Sequence, residues 1–464
     1  MMQINLNFLK GILWSTLDRG GMLVAQFISL VFLSRFLSSY EFGLIAIVSI
    51  FISFATILVD SGLMGSLIRK KKIKKEDLDT LFTYNLITSV VLYILIYLLA
   101  PIISSFYDNE ILINVIRVMT LSLIINSFGY IQTVILTRNN KFKIQSIITL
   151  ISQFFSVFIS MILAYRGYGV WALVSLQLTY FFVNSLLLCI INRYKPQFRF
   201  CLESFNEQMK FGKPLLISNL IFVVNTNLSN SIIGKYYSPT IAGDFYQSSK
   251  LQLTPTGILS AVIDKVAFTR FSQIDDLKEF ISKTQNFNKI IFSIIFPFCI
   301  LFNDFSESFF ILMLGNKWIE AAEIFYILCL SIIPITVKTL NRNILKSFGY
   351  TIEVLKIEIF IFFLTFLCLV LFIKRGILLF SYSIVGLNIL VAIFGIIIIK
   401  LKFGVSIYRQ ILDIITPIIK SIALLYIIKL CLNYFSFDFF NVTKILSFII
   451  LTLLLNINII KKYV

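Results

Sequence analysis

The sequence predicts an all-α integral membrane protein of about fourteen transmembrane helices. Its 464 residues are 58% hydrophobic and only 14% charged, with a mean hydropathy of +0.92, whereas soluble chains carry about 25% charged residues. Apolar runs long enough to cross about 30 Å of hydrocarbon recur from end to end. Lys and Arg in the connections fall on alternating sides, 27 on one and 6 on the other. That bias places the rich side, and with it both termini, in the cytoplasm.

The runs, taken in order, cover residues 10–34, 42–67, 81–106, 112–136, 143–165, 169–191, 213–234, 240–268, 287–312, 319–340, 353–373, 377–399, 411–432 and 443–460. No basic leader or small-residue cleavage site precedes the first, which reads as an uncleaved helix. The second runs into Arg69-Lys70-Lys71-Lys72, a cytoplasmic stop. The fourth holds Arg117 near its outer end, where a long side chain reaches the surface. The seventh and eighth are rich in Asn, Gln and Ser. Such helices span only where protein or a watery cavity covers their polar face. Outer loops are short, whereas the cytoplasmic connections 193–213 and 270–286 are longer, polar and aromatic, as interfacial segments are.

A weak internal repeat suggests two lobes. Ser38-Ser39-Tyr40-Glu41-Phe42-Gly43 precedes the second run, and Ser238-Pro239-Thr240-Ile241-Ala242-Gly243 precedes the eighth, with Ser and Gly at matching offsets. Ile135-Leu136-Thr137-Arg138 leaves the fourth run as Ile344-Leu345-Lys346-Ser347 leaves the tenth. An offset of six helices relates the halves by an axis along the membrane normal. The expected organisation is an N-lobe at 1–192, a cytoplasmic linker at 193–212, a C-lobe at 213–400 and two further helices at 401–464.

Composition also excludes functions. The net charge of +18 follows from the loop bias, and no zinc-finger, RNA-binding or helix-turn-helix pattern accompanies it, so nucleic acid is not an expected partner. Six scattered cysteines include no C-x-x-C, and there is no histidine. Neither a disulfide framework nor a metal site is expected, and a proton relay would fall to carboxylates. No P-loop, GxSxG or HExxH appears, which argues against an enzyme.

Ionisable residues at membrane depth are costly, and their default reading is functional. Asp18 and Arg19 lie roughly 12–14 Å from the cytoplasmic end of the first run, and Asp60 lies roughly 13 Å inside the second. An Arg19–Asp60 bridge fits this geometry; the alternative is a buried pair that only locks two helices. Lys250 lies roughly 15 Å into the eighth run. It faces a cavity, snorkels, or pairs with Asp244. Asn225 and Gln247 join it on the polar faces. A cation in a wet cavity attracts a diphosphate, while amides and aromatic rings suit sugars.

Several segments resemble polysaccharide and O-antigen flippases: Trp14-Ser15, Phe36-Leu37-Ser38-Ser39-Tyr40-Glu41-Phe42-Gly43, Val59-Asp60-Ser61-Gly62-Leu63, Gly169-Val170-Trp171-Ala172 and Leu314-Gly315-Asn316-Lys317-Trp318. In this respect the chain is similar to the polysaccharide transport branch of the multidrug/oligosaccharidyl-lipid/polysaccharide (MOP) exporter superfamily, near the colanic-acid exporters. The resemblance implies two six-helix lobes (MATE/MOP-like) around a cavity, with alternating access. It also implies a cargo of undecaprenyl-diphosphate-linked oligosaccharide (O-antigen, capsule or exopolysaccharide repeat unit) and a bacterial inner membrane location. Related flippases place basic residues of the first helices in the cavity, which matches Arg19. The family often shows an Asn-Arg pair on the eighth helix; this chain has Tyr246-Gln247, with its cation at Lys250.

On this reading Arg19, Lys250, Asn225 and Gln247 bind substrate, and Asp18 and Asp60 bind a coupling proton or sodium ion, with no other cofactor. Membrane lipids, a polysaccharide polymerase and chain-length machinery are the expected partners. The alternatives are a multidrug exporter of the same superfamily or a membrane polymerase or ligase.

Overall fold

A computed structural model describes residues 21–434, apart from 23, 71, 193, 272–288, 290, 294–295, 297–298, 300–305 and 349. Regular structure among the described residues is helical. Two compact units comprise residues 1–247 and 248–464.

The first unit contains α1 (Val24–Phe36), α2 (Ser39–Asp60), α3 (Leu63–Arg69), α4 (Lys75–Phe106), α5 (Ile111–Arg138), α6 (Phe142–Tyr165), α7 (Val170–Asn192), α8 (Leu202–Tyr236) and the start of α9 (Pro239–Phe271). α2 opens on a capping box, in which the Ser38 N–H donates to the Glu41 carboxylate at 2.8 Å. α2 ends where Ser61 and Gly62 both take positive φ, 47° and 71°. This turn divides the single helix expected over 42–67 into α2 and α3, which together still form one crossing, Ser39–Ile68. Leu44, Ile47, Val48, Val115, Ile116 and Val174 form a core among α2, α5 and α7.

α6 shows what solvent this unit was built for. It buries Ser146, Ser152, Ser156 and Ser160 and exposes Ile151, Phe154, Phe158 and Ile162. In water that pattern would be inverted. In lipid the outward Phe and Ile side chains cost nothing, and small inward residues let backbones approach. The Ser160 hydroxyl accordingly donates to the Ala172 carbonyl of α7 at 2.6 Å.

The second unit contains α10 (Ser306–Met313), α11 (Ile319–Cys329), α12 (Ile332–Ser347), α13 (Thr351–Phe372), α14 (Ile377–Phe403) and α15 (Ile407–Tyr434). The stretches Asn316–Cys329 and Ile332–Leu345 meet at 47° across a short break. The run expected over 319–340 is therefore interrupted by a bend.

Eight described helices are long and apolar enough to cross a membrane, and the bent pair would make nine. The chain is a multi-pass membrane protein. The expected fourth and seventh crossings are among the eight. The eighth expected crossing folds as α9 but is too polar to join them. Residues 443–460 lie outside the described residues. Only 194–201 of the expected linker is irregular, because α8 starts at Leu202 and carries the polar segment helically into the membrane span. The division between compact units falls after Gln247, beyond that linker.

Candidate functional site

The most distinctive geometry joins the two repeat turns. At Gly43, a Cβ would run into the Pro239 carbonyl, with its carbon at 2.5 Å, and would lie 3.1 Å from the Gly243 nitrogen. At Gly243, a Cβ would meet the Ser39 carbonyl carbon at 2.7 Å and the Gly43 nitrogen at 2.9 Å. The contact is reciprocal: each glycine meets the other segment at the position four residues before its partner glycine. Such a contact follows from a local two-fold relation. No side chain fits, so both positions require glycine. The Ser39 hydroxyl donates to the Asp244 carboxylate at 2.5 Å, and both residues are buried. Close by, Lys235 pairs with Asp108 at 2.9 Å, and Asn109 donates to the Tyr40 hydroxyl at 2.7 Å.

A polar seam extends inward along α2, α8 and α1. Ser231 donates to the Ile47 carbonyl at 3.4 Å, and Ser49 to the Asn227 side-chain oxygen at 3.3 Å. The Gln247 amide donates to Ser34 at 2.7 Å, and Ser34 to the Leu30 carbonyl at 2.7 Å. Gln247 Oε1 and Asn230 Oδ1 are buried and have no hydrogen-bond partner among the described residues. Leaving such acceptors dry costs about 1–3 kcal/mol each.

The predicted site residues are only partly brought together. Arg19 and Asp18 lie outside the described residues, and so does the expected Arg19–Asp60 bridge. Gln247 is buried, and its amide donates to Ser34. Asn225 is half-buried on α8, and Lys250 is exposed on α9 in the second unit. Asp60 sits at the opposite end of α2 from the glycine contact, roughly 25 Å away along the helix. The backbone N–H groups of Gly62 and Met64 hydrogen-bond its carboxylate. Its Oδ1 is buried without a partner. Arg117 is held on the Tyr97 ring, 4.1 Å from its centroid.

Sequence reading missed a second node, beyond the end of α3. Asp77 accepts from Ser204 at 2.5 Å, from the Lys74 N–H at 2.9 Å and from Lys70 at 3.1 Å. Lys70 also reaches Glu207 at 2.6 Å. Burial works against the Lys70 charge, but the hydrogen bonds to Glu207 and Asp77 outweigh it and hold its pKa above the ordinary value. Asp79 accepts from the Tyr194 hydroxyl at 2.8 Å and from the Gln197 N–H at 2.9 Å. Burial first, and then the hydrogen bond to Asp79 and its charge, raise the Tyr194 pKa. Arg138 caps α3 by donating to the carbonyls of Leu67, at 3.0 Å, and Lys70. These bonds explain why the polar stretch beginning at Leu202 is helical and docked. Nothing in the local sequence pairs a carboxylate in a basic loop with Ser204.

In the second unit, Lys338 and Arg342, expected in a cytoplasmic connection, are inside α12. Arg342 pairs with Glu358 of α13 at 3.3 Å.

Comparison with known proteins agrees with this architecture. Residues 32–323 match the family described as polysaccharide biosynthesis protein. The lipopolysaccharide biosynthesis protein WzxC of Escherichia coli (strain K12) is 25% identical over 332 residues, 69% of this chain and 66% of WzxC. The succinoglycan biosynthesis transport protein ExoT of Rhizobium meliloti (strain 1021) is 22% identical over 323 residues, 68% of this chain and 65% of ExoT. The chain thus spans just under two thirds of the length of each. The fold is that of the lipid II flippase MurJ in an inward closed conformation, with a TM-score of 0.77 at 16% identity, covering 97% of this chain and 100% of that one.

Proposed function

The chain belongs to the polysaccharide biosynthesis protein family, and from that premise we propose that it is a flippase. It carries undecaprenyl-diphosphate-linked oligosaccharide from the cytoplasmic to the periplasmic leaflet of a bacterial inner membrane by alternating access, with both termini cytoplasmic. The family match over most of the described chain carries this reading. The named roles of WzxC in lipopolysaccharide biosynthesis and of ExoT as a transport protein support it, as does a fold shared with a lipid II flippase. A transporter must bind its cargo differently in its two states, because equal binding shifts no equilibrium. Arg19 and Lys250 would attract the diphosphate, Asn225 and Gln247 would serve the sugars, and Asp18 and Asp60 would carry a coupling proton or sodium ion. The unsatisfied Asp60 oxygen supports the last assignment, since a proton or a small cation would complete it. A polysaccharide polymerase and chain-length machinery would receive the product.

Deletion of the gene tests the proposal. It should stop surface polymer and accumulate lipid-linked oligosaccharide in the cytoplasmic leaflet, with both restored by the intact chain. Normal polymer in the deletion strain, with no accumulated intermediate, would refute it.

A further inference from the structure

We propose that the second unit holds an oxyanion-binding site on α12, formed by Lys338, Asn341 and Arg342, that takes the diphosphate oxygens of the cargo. The proposal rests on the flippase reading for its ligand but not for its geometry.

The three residues occupy positions i, i+3 and i+4, so they share one face of the helix. Lys338 lies roughly 13 Å and Arg342 roughly 7 Å from the end of α12 at Ser347. The face has more hydrogen-bond donors than acceptors. Arg342 directs one terminal nitrogen to Glu358, while its Nε is buried with no partner among the described residues. The Asn341 Nδ2, on a residue 4% exposed, is likewise buried and unpartnered. Lys338, half-buried, makes no hydrogen bond among the described residues and lies within the field of Glu358 and Arg342. Two cations against one carboxylate leave a surplus positive charge inside the helical bundle. Such a charge is retained only where something compensates it, and unpaired N–H donors call for oxygen acceptors.

Across from Asn341, α14 carries Gly395, where a Cβ would lie 3.0 Å from the Asn341 Nδ2; no side chain at that position covers the amide. Lys338 lies roughly 9 Å and Arg342 roughly 15 Å along α12 from its start at the 47° break. Discontinuous helices are a recurrent way to build an ion or substrate site in transporters. Arginine and lysine together suit a phosphate, the first as a planar fork and the second as a point charge.

The experiment uses the purified full-length protein in detergent, titrated with a short-chain prenyl diphosphate, the matching prenyl alcohol and inorganic diphosphate. The diphosphates should bind and the alcohol should not. Tighter binding of the prenyl form identifies a lipid-borne head group, and equal binding identifies a soluble oxyanion; either supports the site. Lys338→Gln should weaken diphosphate binding about tenfold or more, and Gly395→Ala should weaken it by crowding Asn341. Glu358→Gln should leave binding unchanged or tighten it, because it removes the neutralising carboxylate. A merely structural Arg342–Glu358 pair would instead make Glu358→Gln the damaging change. Arg342→Lys keeps the charge and controls for folding. Wild-type protein that binds neither diphosphate, or Lys338→Gln with wild-type affinity, overturns the proposal even where surface polymer is still made. Loss of binding in Lys338→Gln upholds it even if the deletion strain shows no polymer defect, the outcome that would sink the flippase reading alone.

Discussion

Replacing Gly43 by alanine adds one methyl group where two helix ends touch backbone to backbone. The new carbon would lie 2.5 Å from the Pro239 carbonyl carbon, against about 3.5–4.0 Å for an ordinary contact. The ends of α2 and α9 must then part by about 1 Å or more. Neither partner atom belongs to a flexible side chain, so the strain cannot be relieved by a rotamer change. The cost should reach the top of the overpacking range, about 3 kcal/mol. The same opening stretches the Ser39–Asp244 hydrogen bond beyond its useful length, a further loss of about 1.5–3 kcal/mol for a charged acceptor. Gly243→Ala should behave alike because the contact is reciprocal. The double variant should cost less than the sum, since one opening relieves both clashes. Thermal unfolding in detergent reads the stability. Oxidative cross-linking of a Ser39→Cys, Asp244→Cys pair reads the separation, efficient with both glycines present and lost with either alanine. Unchanged melting and undiminished cross-linking in Gly43→Ala would refute the close approach itself.

Three further outcomes follow from the same geometry. Asp77→Asn should destabilise the chain by about 2 kcal/mol, because charge-assisted bonds from Ser204 and Lys70 are lost within a buried node; limited proteolysis near residue 202 should rise in parallel. The Lys70 pKa is raised by its two carboxylate partners, so its contribution is complete below the ordinary lysine value of 10.5 and fades as pH climbs through the raised value. The melting difference between wild type and Lys70→Met should therefore hold from pH 7 to about 10 and shrink above that. Arg117→Ala should cost about 0.5–1 kcal/mol through its loss from the Tyr97 ring. It should cost nothing more in a Tyr97→Ala background, as measured by a double-mutant cycle of unfolding.

Part of the candidate site is legible in the amino-acid sequence. The matched Ser and Gly of residues 38–43 and 238–243 mark a repeat, and those glycines form the reciprocal contact. The serine spacing on α6 is present in the sequence too, but it carries no direction until the exposed Phe face shows lipid as the solvent. Asp244 stands beside Gly243 in the sequence, and the fold brings Ser39 to it. That pairing joins residues 205 positions apart, and no local pattern encodes it. Gln247 is legible as a polar residue of a membrane helix, but its bond to Ser34 is not, because which face of a polar helix meets a neighbour depends on how the helices cross.

Sequence alone determined the solvent and the class of protein. Runs of twenty apolar residues and a one-sided distribution of Lys and Arg follow from hydrocarbon thickness and from the cost of moving charge across it, and neither depends on how helices pack. Tertiary structure decided which polar groups are satisfied and which are not. Hydrogen bonding between distant segments is a matter of ångströms: Ser39 with Asp244, Asp77 with Ser204, and the unpartnered amide of Asn341 beside Gly395. A carbonyl approached within van der Waals distance, or a donor left without an acceptor, exists only once two helices have met.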